Sequence, residues 1–234
     1  MPRMSATRFD HSLGVYFLLK RLGAGREEQI AGLIHDIGHT ALSHVYDYAI
    51  GRAEKQDYND EIQEKILNGS GIKKLLEKEG MSVKSVIDHK KFPLLEKELP
   101  DLCADRFDYL LRDTLYYGTT KKQEIPGFIN SLNIYCSTMF INDKSIAVEL
   151  TLRFMDMNDK FWSGQKQNAI YSLAGQAMKI AMDRNIIKEN DFFDTDDAIM
   201  EKLKKSGVGE IISRIELFLD PSLDIKEDPK DYDF

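Results

Sequence analysis

Histidines and acids that could bind a metal ion are concentrated near the start of the chain. Four of the five histidines lie within the first 44 of 234 residues, and His35 is followed directly by Asp36. The other three in this stretch are His11, His39 and His44. Neutral imidazole and ionised carboxylate are ligands that borderline divalent metals accept. The grouping therefore predicts a metal centre in the N-terminal part of the chain.

The spacing of these residues limits how they could share one ion. Adjacent residues on an α-helix point about 100° apart, so His35 and Asp36 reach one ion only near a helix end or a bend. Gly38 could supply that bend, whereas His39 would lie on the same side as His35 if the helix continued. An isolated His-Asp pair is more often a hydrogen-bonded pair at a helix end than a pair of ligands, so both interpretations stay open here.

A third group of charged residues lies further along the chain, within 101–113. Asp101, Asp105 and Asp108 would share one face of a helix because they are four and three residues apart. Three neighbouring carboxylates repel one another unless a cation or an arginine compensates them. The residues alone leave two interpretations, a metal-ligating face or a solvated acidic face paired with Arg106 and Arg112.

Apolar residues recur with helical spacing through most of the chain. This pattern predicts helices over residues 12–21, 27–36, 101–111, 154–187 and 194–203, one beginning near residue 43, and amphipathic segments around 62–67, 72–76 and 83–87. Residues 134–141 and 145–150 are rich in strand-forming residues and flank Asn142-Asp143, which predicts a β-hairpin. The predicted fold class is mainly α, with a small β-hairpin in the C-terminal half.

Length and charge restrict the protein's class. The 234 residues suit a core domain over 1–205, followed by a C-terminal helix and an acidic tail over 206–234. A net charge of −7 argues against nucleic acid as the main partner. Because motif residues begin by position 8, we expect the core domain to be preceded by a further segment upstream of this chain.

Cysteine content and hydropathy indicate the compartment. The two cysteines, Cys103 and Cys136, are too few for a disulfide framework and fit a reducing environment. No run of about 18 apolar residues is present, so we expect no membrane-spanning helix. The expected localisation is cytoplasmic.

Taken together, three segments resemble the HD-domain metal-dependent phosphohydrolases, in the branch related to deoxynucleoside triphosphate triphosphohydrolases. The matching segments are Arg8–Val15 (RFDHSLGV), His35–His44 (HDIGHTALSH) and Asp105–Asp113 (DRFDYLLRD). Their order and spacing both agree with the family pattern, and three ordered motifs of this length are a specific signal. The resemblance implies an HD-domain helical bundle.

The resemblance also implies roles for particular residues. The implied metal ligands are His11, His35, Asp36 and Asp105. The implied general acid or base candidates are His39, His44 and Asp47. Arg8, Arg106 and Tyr109 would contact phosphate oxygens, and Asp113 would face a sugar hydroxyl. Two imidazoles and two carboxylates leave about two positions of an octahedral divalent ion (Mn, Mg, Fe, Ni or Zn) for water and a phosphoryl oxygen.

The expected function is therefore metal-dependent hydrolysis of a phosphate ester or anhydride in a small molecule, with a nucleotide or deoxynucleotide as the expected substrate. Where many relatives have a His-Glu pair, this chain has Asn59 within Tyr58-Asn59-Asp60-Glu61, and an amide cannot shuttle a proton. The related triphosphatases hold the triphosphate with arginines on a late helix, whereas the segment 160–166 here offers only two lysines, so the sequence supports a triphosphate substrate less strongly than a phosphoester in general. The alternative is a catalytically weak HD domain that binds metal or nucleotide as a sensor or regulator. The three ordered motifs argue against a third possibility, a helical interaction module without a site. The sequence leaves open whether the protein forms a homo-oligomer.

Overall fold

Helices dominate the structure, a computed structural model that describes residues 6–55 and 58–225. The α-helices are α1 (Arg8–Arg21), α2 (Arg26–Ile34), α3 (Val45–Ala49), α4 (Tyr58–Gly69), α5 (Ile72–Lys78), α6 (Val83–Ile87), α7 (Ala104–Tyr116), α8 (Ile125–Asn130), α9 (Lys144–Met157), α10 (Gln165–Asp183), α11 (Asp196–Lys205) and α12 (Gly209–Leu219). The strands are β1 (Leu132–Tyr135) and β2 (Thr138–Ile141), which pair antiparallel. The predicted mainly α class with a small hairpin is confirmed.

The chain divides into two compact units, each formed by separate stretches of sequence. Among the described residues, the first unit contains residues 6–38 and Asp60–Met157, with α1, α2, α5 to α9, the hairpin and most of α4. The second unit contains residues 39–59 and the chain from Asn158 onward, with α3 and α10 to α12. The predicted division into 1–205 and 206–234 stays a prediction, and much of the predicted acidic tail lies outside the described residues.

In the first unit, α1 packs against α2 and α7. The helix starts with a capping box, in which the Thr7 hydroxyl accepts a hydrogen bond from the Asp10 backbone N–H at 3.0 Å. Val15 and Leu19 of α1 are fully buried. A Cβ on Gly32 of α2 would lie 2.5 Å from the Leu19 side chain, so this glycine allows the two helices to pack closely.

In the second unit, α10 packs against α3 and α12. A Cβ on Gly175 of α10 would lie 2.5 Å from Cβ of Tyr48 in α3, so the lack of a side chain at this glycine allows the two helices to pack closely. Before α3, the backbone has positive φ at Leu42 and Ser43 (59° and 56°), a conformation that non-glycine residues adopt rarely. The Leu42 N–H donates to the Asp196 carboxylate at 2.7 Å, which stabilises this turn.

The predicted helix over 101–111 begins later than expected, at Ala104. Asp101 lies in a turn and its N–H donates to the Glu98 carbonyl at 3.0 Å, so its carboxylate does not share the face of Asp105 and Asp108. Pro100 favours an extended or turn conformation at this point, since it lacks an N–H and restricts its neighbour. The acidic face of α7 therefore contains two of the three predicted acids.

The hairpin is present, but its predicted turn and second strand were wrong. Its turn lies at Cys136 and Ser137, which have positive φ of 48° and 58°. The outermost pair of the two strands is Leu132 with Ile141, and the pair next to the turn is Tyr135 with Thr138. Residues 145–150 belong to α9 instead. The Asp143 carboxylate accepts hydrogen bonds from the N–H groups of Ser145 at 2.8 Å and Ile146 at 3.2 Å, which starts a helix where a strand was expected.

The predicted long helix over 154–187 is interrupted. It comprises the end of α9, a π-helical segment over Asn158–Trp162 and α10, which begins after Gly164. A Cβ on Gly164 would lie 2.6 Å from the Asp159 carbonyl oxygen, so the break needs a glycine. Among the described residues, none of the helices is both long and apolar enough to cross a lipid bilayer.

Candidate metal centre and imidazole pair

The His35-Asp36 pair lies at a helix end, as the spacing argument requires. Helix α2 ends at Ile34, and His35–Gly38 forms a single 3-10 turn. Gln63 of α4 is 4% exposed, and its amide donates to the carbonyls of Ile34 at 3.2 Å and His35 at 2.9 Å. These carbonyls lose their helical partners where α2 stops, so Gln63 stabilises the turn that presents the pair.

The structure brings the four predicted metal ligands together. His11 comes from α1, His35 and Asp36 from the 3-10 turn, and Asp105 from the first turn of α7. Asp105 Oδ1 lies 2.8 Å from His11 Nε2 and 3.2 Å from His35 Nε2. The Asp36 carboxylate lies 3.4 Å from His35 Nε2 and 3.8 Å from His11 Nε2. Ligand atoms of His11, His35 and Asp36 all lie within 4.8 Å of one another.

The far side of each imidazole has a partner that fixes the ring. His35 Nδ1 lies 2.8 Å from the Gly32 carbonyl oxygen, which can only accept, so Nδ1 carries the proton. His11 Nδ1 lies 2.7 Å from the Asp108 carboxylate, which also accepts when ionised. Both rings therefore direct Nε2 towards Asp105. Histidines that bind metals typically donate their other ring N–H to a carboxylate or carbonyl in this way.

This donor set fits a divalent cation. If both rings are neutral and carry their proton on Nδ1, their two Nε2 lone pairs face the Asp105 oxygen and repel it. A second proton on each ring, or a cation shared by the three atoms, removes this repulsion. Ligand atoms about 2.1 Å from an ion and at right angles lie about 3.0 Å apart, close to the observed 2.8 and 3.2 Å. Two nitrogens and two carboxylates suit metals such as Mn, Fe, Ni or Zn.

The carboxylates of the cluster also favour the protonated form of its two imidazoles. Burial lowers the pKa of His11, but its hydrogen bonds to Asp105 and Asp108 outweigh burial and raise that pKa to about 10. Burial also acts against protonation of His35, whose pKa is nevertheless raised by Asp105 and Asp36. Burial raises the pKa of Asp105, while hydrogen bonds from both imidazoles bring it below its usual range. A divalent cation would compete with these protons for the same atoms.

Glu28 and the loop before α7 position Asp105. The buried Glu28 carboxylate accepts hydrogen bonds from the N–H groups of Leu94 at 2.7 Å and Leu95 at 3.1 Å. The carbonyls of the same two leucines accept from Ala104 N–H at 2.8 Å and Asp105 N–H at 3.2 Å. One acid on α2 thus anchors the N-terminus of α7. The helix predicted over residues 27–36 includes Glu28 in its first turn, but its sequence gives no sign of this anchoring.

Gly14 permits the close approach of α7 to α1. A Cβ at this position would lie 2.0 Å from Asp108 Oδ1 and 2.4 Å from Arg112 Nη2. Arg112 Nε donates to Asp108 Oδ2 at 2.5 Å, and its Nη2 donates to the Asp10 carbonyl at 2.7 Å. Bare glycine therefore leaves space for the carboxylate that orients His11. Gly14 belongs to the first motif, but its role depends on a helix far away in the sequence.

The residues expected to bind phosphate occupy two different settings. Arg8 lies at the cluster, where its Nη1 is 2.9 Å from Asp36 Oδ2 and its side chain is 35% exposed. Arg106 is buried, and its guanidinium donates to the Asp101 carbonyl and to the Lys97 carbonyl at 3.0 Å. These bonds tie the guanidinium of Arg106, in the first turn of α7, to the loop that precedes the helix, and its predicted contact with substrate stays a prediction.

Two further predicted substrate residues lie on α7. Tyr109 hydrogen-bonds to the Arg106 side chain, and burial is the main cause of its raised pKa. Asp113 is half-buried. The pKa of Tyr117 is raised mainly by burial and further by the negative charge of Asp113. The contacts predicted for Tyr109 with phosphate and for Asp113 with a sugar hydroxyl stay predictions.

The predicted acid–base residues form a second cluster, in the second unit. The rings of His39 and His44 pack edge to face with their centroids 5.1 Å apart. Asp47, with its side chain 1% exposed, has Oδ2 3.9 Å from His44 Nδ1. The buried amide of Asn59 has Nδ2 3.1 Å from His39 Nδ1 and 3.5 Å from His44 Nδ1. The sequence singled out Asn59 as a departure from the family pattern, but not as a partner of both rings.

Comparison with known proteins decides the family. The model of the HD domain family matches residues 8–113, a range that contains all four predicted metal ligands. An uncharacterized protein of Bacillus subtilis, YdhJ, is 34% identical over 99% of this chain and 71% of its own length. This chain belongs to the HD domain family. Membership confirms the resemblance drawn from the three motifs and the expected class of enzyme, an HD-type hydrolase.

Other relatives of this HD protein are similar over a smaller share of their own length. The metal-dependent phosphohydrolase cns2 of Cordyceps militaris is 30% identical over 84% of this chain and 58% of its own length. The human deoxynucleoside triphosphate triphosphohydrolase SAMHD1 is 33% identical over 55% of this chain and 28% of its own length. The chain thus spans less than two thirds of either relative.

A solved structure shares the fold. The crystal structure of a hypothetical protein from Aquifex aeolicus superposes with a TM-score of 0.65, covering 91% of this chain and 62% of that chain. The two sequences are 20% identical, so the comparison concerns the fold alone. It agrees with the helical HD architecture expected from the sequence.

Proposed function

We propose that this protein hydrolyses a phosphate ester or anhydride of a nucleotide or deoxynucleotide, using one divalent metal ion. The observation that carries the proposal is the convergence of His11, His35, Asp36 and Asp105, with both imidazoles oriented through Nδ1. The names of the Cordyceps and human relatives support a metal-dependent phosphohydrolase and, for the human relative, a deoxynucleotide substrate.

The proposed ligands are those four residues. A divalent ion bound there polarises the phosphoryl group and lowers the pKa of a bound water molecule. Asp108 and the Gly32 carbonyl keep the two Nε2 atoms directed at the ion site. Because these partners are rigidly attached to α7 and α2, the ligands are preorganised before the ion arrives.

Arg8 is the proposed phosphate-binding residue with the strongest support from the structure. Its guanidinium pairs with Asp36 through Nη1 and the side chain is 35% exposed, which places a positive charge directly beside a proposed metal ligand. Arginine presents a planar fork of N–H donors that matches the oxygens of a phosphate. We propose that Arg8 binds a phosphoryl oxygen of the substrate while it still contacts Asp36.

His39, His44 and Asp47 are the proposed catalytic residues, and at least one of the two histidines is proposed to transfer a proton. A group positioned to give or take a proton in the transition state typically contributes about 10²- to 10⁴-fold to rate. Histidine suits this work because its ordinary pKa is close to neutral. Asp47 supports the proposal through its position 3.9 Å from His44 Nδ1, where a carboxylate favours the protonated ring.

A nucleotide panel tests the proposed function. The purified full chain is incubated with Mn²⁺ and ribo- and deoxyribonucleoside mono-, di- and triphosphates, and released phosphate or pyrophosphate is measured. We expect turnover of at least one nucleotide, and its loss in Asp36→Ala. The matched control is His89→Ala, which removes the fifth histidine, in the short turn His89–Lys91. Absence of turnover across the panel by metal-loaded protein would contradict the proposal.

A sensor is the second candidate function, and Asn59 is the observation that favours it. An amide cannot shuttle a proton, so this position offers no acid or base. The two functions are distinguished by the same samples. A metal-loaded protein that binds a nucleotide in equilibrium dialysis and does not hydrolyse it would support the sensor.

A further inference from the structure

Asn59 is a buried amide whose orientation is fixed by the backbone. The side chain is 6% exposed and stands in the first turn of α4. Its Oδ1 lies 3.3 Å from the backbone nitrogen of Thr40. A backbone N–H can only donate, so the amide atom that faces it must be the oxygen. The nitrogen of the amide, Nδ2, is therefore the atom that faces the two imidazoles.

The position of Nδ2 determines where His39 carries its proton. An amide nitrogen donates and does not accept, and Asn59 Nδ2 is 3.1 Å from His39 Nδ1. His39 Nδ1 must therefore accept with its lone pair. In a neutral ring this places the proton on Nε2. A doubly protonated ring would direct an N–H at the amide N–H groups, so the charged form is disfavoured.

The partners of His44 are different. Its Nδ1 is 3.5 Å from Asn59 Nδ2, at the limit of a hydrogen bond, and 3.9 Å from the Asp47 carboxylate. This atom therefore lies between a donor and an acceptor, whereas His39 Nδ1 has the closer contact with the donor. The two imidazoles therefore differ in the hydrogen-bonding partners of Nδ1.

We propose that Asn59 is a positioning residue that keeps His39 neutral with its proton on Nε2, so that His39 acts in the proposed hydrolysis as a hydrogen-bond donor and not as a proton-transfer acid. This inference rests on the proposed function. A neutral imidazole that released its Nε2 proton would become an imidazolate, which is too basic to form near neutral pH. His39 thus keeps its proton throughout, and its N–H stabilises negative charge on a substrate oxygen.

Nitrogen NMR tests the tautomer without reference to activity. The full chain is labelled with ¹⁵N-histidine and loaded with Zn²⁺, which is diamagnetic, and His39 is assigned by comparison with His39→Gln. We expect the His39 Nδ1 resonance to be that of an unprotonated nitrogen across neutral pH. In Asn59→Asp, an oxygen still accepts from Thr40 while the second oxygen replaces the donor, so the proton should move to Nδ1.

The matched control for this substitution is Asn68→Asp, an exposed asparagine on the same helix. It should leave the His39 spectrum unchanged. A His39 Nδ1 that is already protonated in the unmodified protein would overturn the proposal, whether or not Asn59→Asp folds. So would an unchanged tautomer in a folded Asn59→Asp variant.

Turnover provides the second test. Glutamine presents an amide N–H but cannot release a proton, so His39→Gln should retain turnover within about tenfold of the unmodified protein, whereas His39→Ala should lose about 10²-fold or more. Equal losses in the two variants, with metal content intact, would overturn the donor role. If no nucleotide is hydrolysed at all, the proposed function fails, and the NMR result still decides whether Asn59 sets the tautomer of His39.

Discussion

Asp108 on α7 lies 2.7 Å from Nδ1 of His11 on α1 and directs the other ring nitrogen towards Asp105. The contact joins two segments far apart in the sequence, and it makes Asp108 part of the candidate metal centre although it is not one of the predicted ligands. Carboxylates in this position fix the tautomer of a metal-binding histidine and increase its basicity.

Neutralising Asp108 should weaken metal binding without removing a ligand. We expect Asp108→Asn to raise the Kd for Mn²⁺ by about 10- to 100-fold, because His11 loses the charge that orients and polarises it. The Kd is measured by competitive titration against a chelating dye. Asp101→Asn is the control, since Asp101 is exposed and lies outside α7. Equal affinities in the two variants would show that Asp108 does not support the centre.

A methyl group on Gly14 should disturb the same contact. Its Cβ would lie 2.0 Å from Asp108 Oδ1, so the carboxylate or α1 must move in Gly14→Ala. We expect a raised Kd for Mn²⁺ in the same direction as for Asp108→Asn. Gly127→Ala serves as the control, because a Cβ on this helical glycine meets nothing within 4 Å. Gly14→Ala protein with unchanged affinity would contradict the role assigned to this glycine.

The stability of the metal-free protein should fall as the pH rises. Burial lowers the pKa of His11, but hydrogen bonds to Asp105 and Asp108 raise it from 6.5 to about 10 in the folded protein. A group with a raised folded-state pKa contributes stability that is fully present below its unfolded pKa and is lost as pH approaches the folded pKa. The free energy of unfolding in EDTA should therefore decrease from about pH 6.5 towards pH 10.

Metal binding should show the opposite dependence on pH. Because the ion displaces protons from His11 and His35, affinity for Mn²⁺ should increase over the same interval. Urea unfolding in EDTA and metal titration, both followed between pH 6 and 9, provide the measurements. His11→Gln should flatten the stability profile. A metal-free protein whose stability increases across this interval would rule out the raised pKa of His11.

Removing the Glu28 carboxylate should destabilise the protein and weaken the centre together. Glu28→Ala leaves the N–H groups of Leu94 and Leu95 without their acceptor, at a cost of about 1–3 kcal/mol for each buried group. Glu28→Gln keeps an acceptor and should change the free energy of unfolding little. Chemical denaturation of the two variants, with Glu27→Ala as the neighbouring control, measures the difference. Similar stabilities for Glu28→Ala and Glu28→Gln would contradict the anchoring role.

The resemblance to the HD family supplied the four predicted ligands, and local spacing predicted only how some of them would be placed. His35 and Asp36 were expected at a helix end near Gly38, and α2 stops at Ile34 before a 3-10 turn that ends at that glycine. Asp105 and Asp108 were expected on one face of a helix, and both contact His11. Helical periodicity carries such local placement within a few residues, whereas the convergence of His11, His35 and Asp105 depends on contacts between distant helices and was implied by the family motifs alone.

Features that depend on distant or ambiguous partners could not be read from the sequence. Asn142-Asp143 suits a hairpin turn and a helix start equally, and only the fold shows that Asp143 begins α9. The roles of Gly14 and Glu28 arise from contacts with α7 and the loop before it. The role of Asn59 arises in the same way, since its orientation is set by the backbone of Thr40.

Metal content of the purified protein tests the central claim most directly. Elemental analysis of chains loaded with Mn²⁺ and then desalted should give about one ion per chain for the unmodified protein and for the control His89→Ala. His35→Ala and Asp36→Ala should each lose most of that metal, because each removes one of four ligands while leaving its partners in place. Full metal content in both His35→Ala and Asp36→Ala would contradict the assignment of the centre.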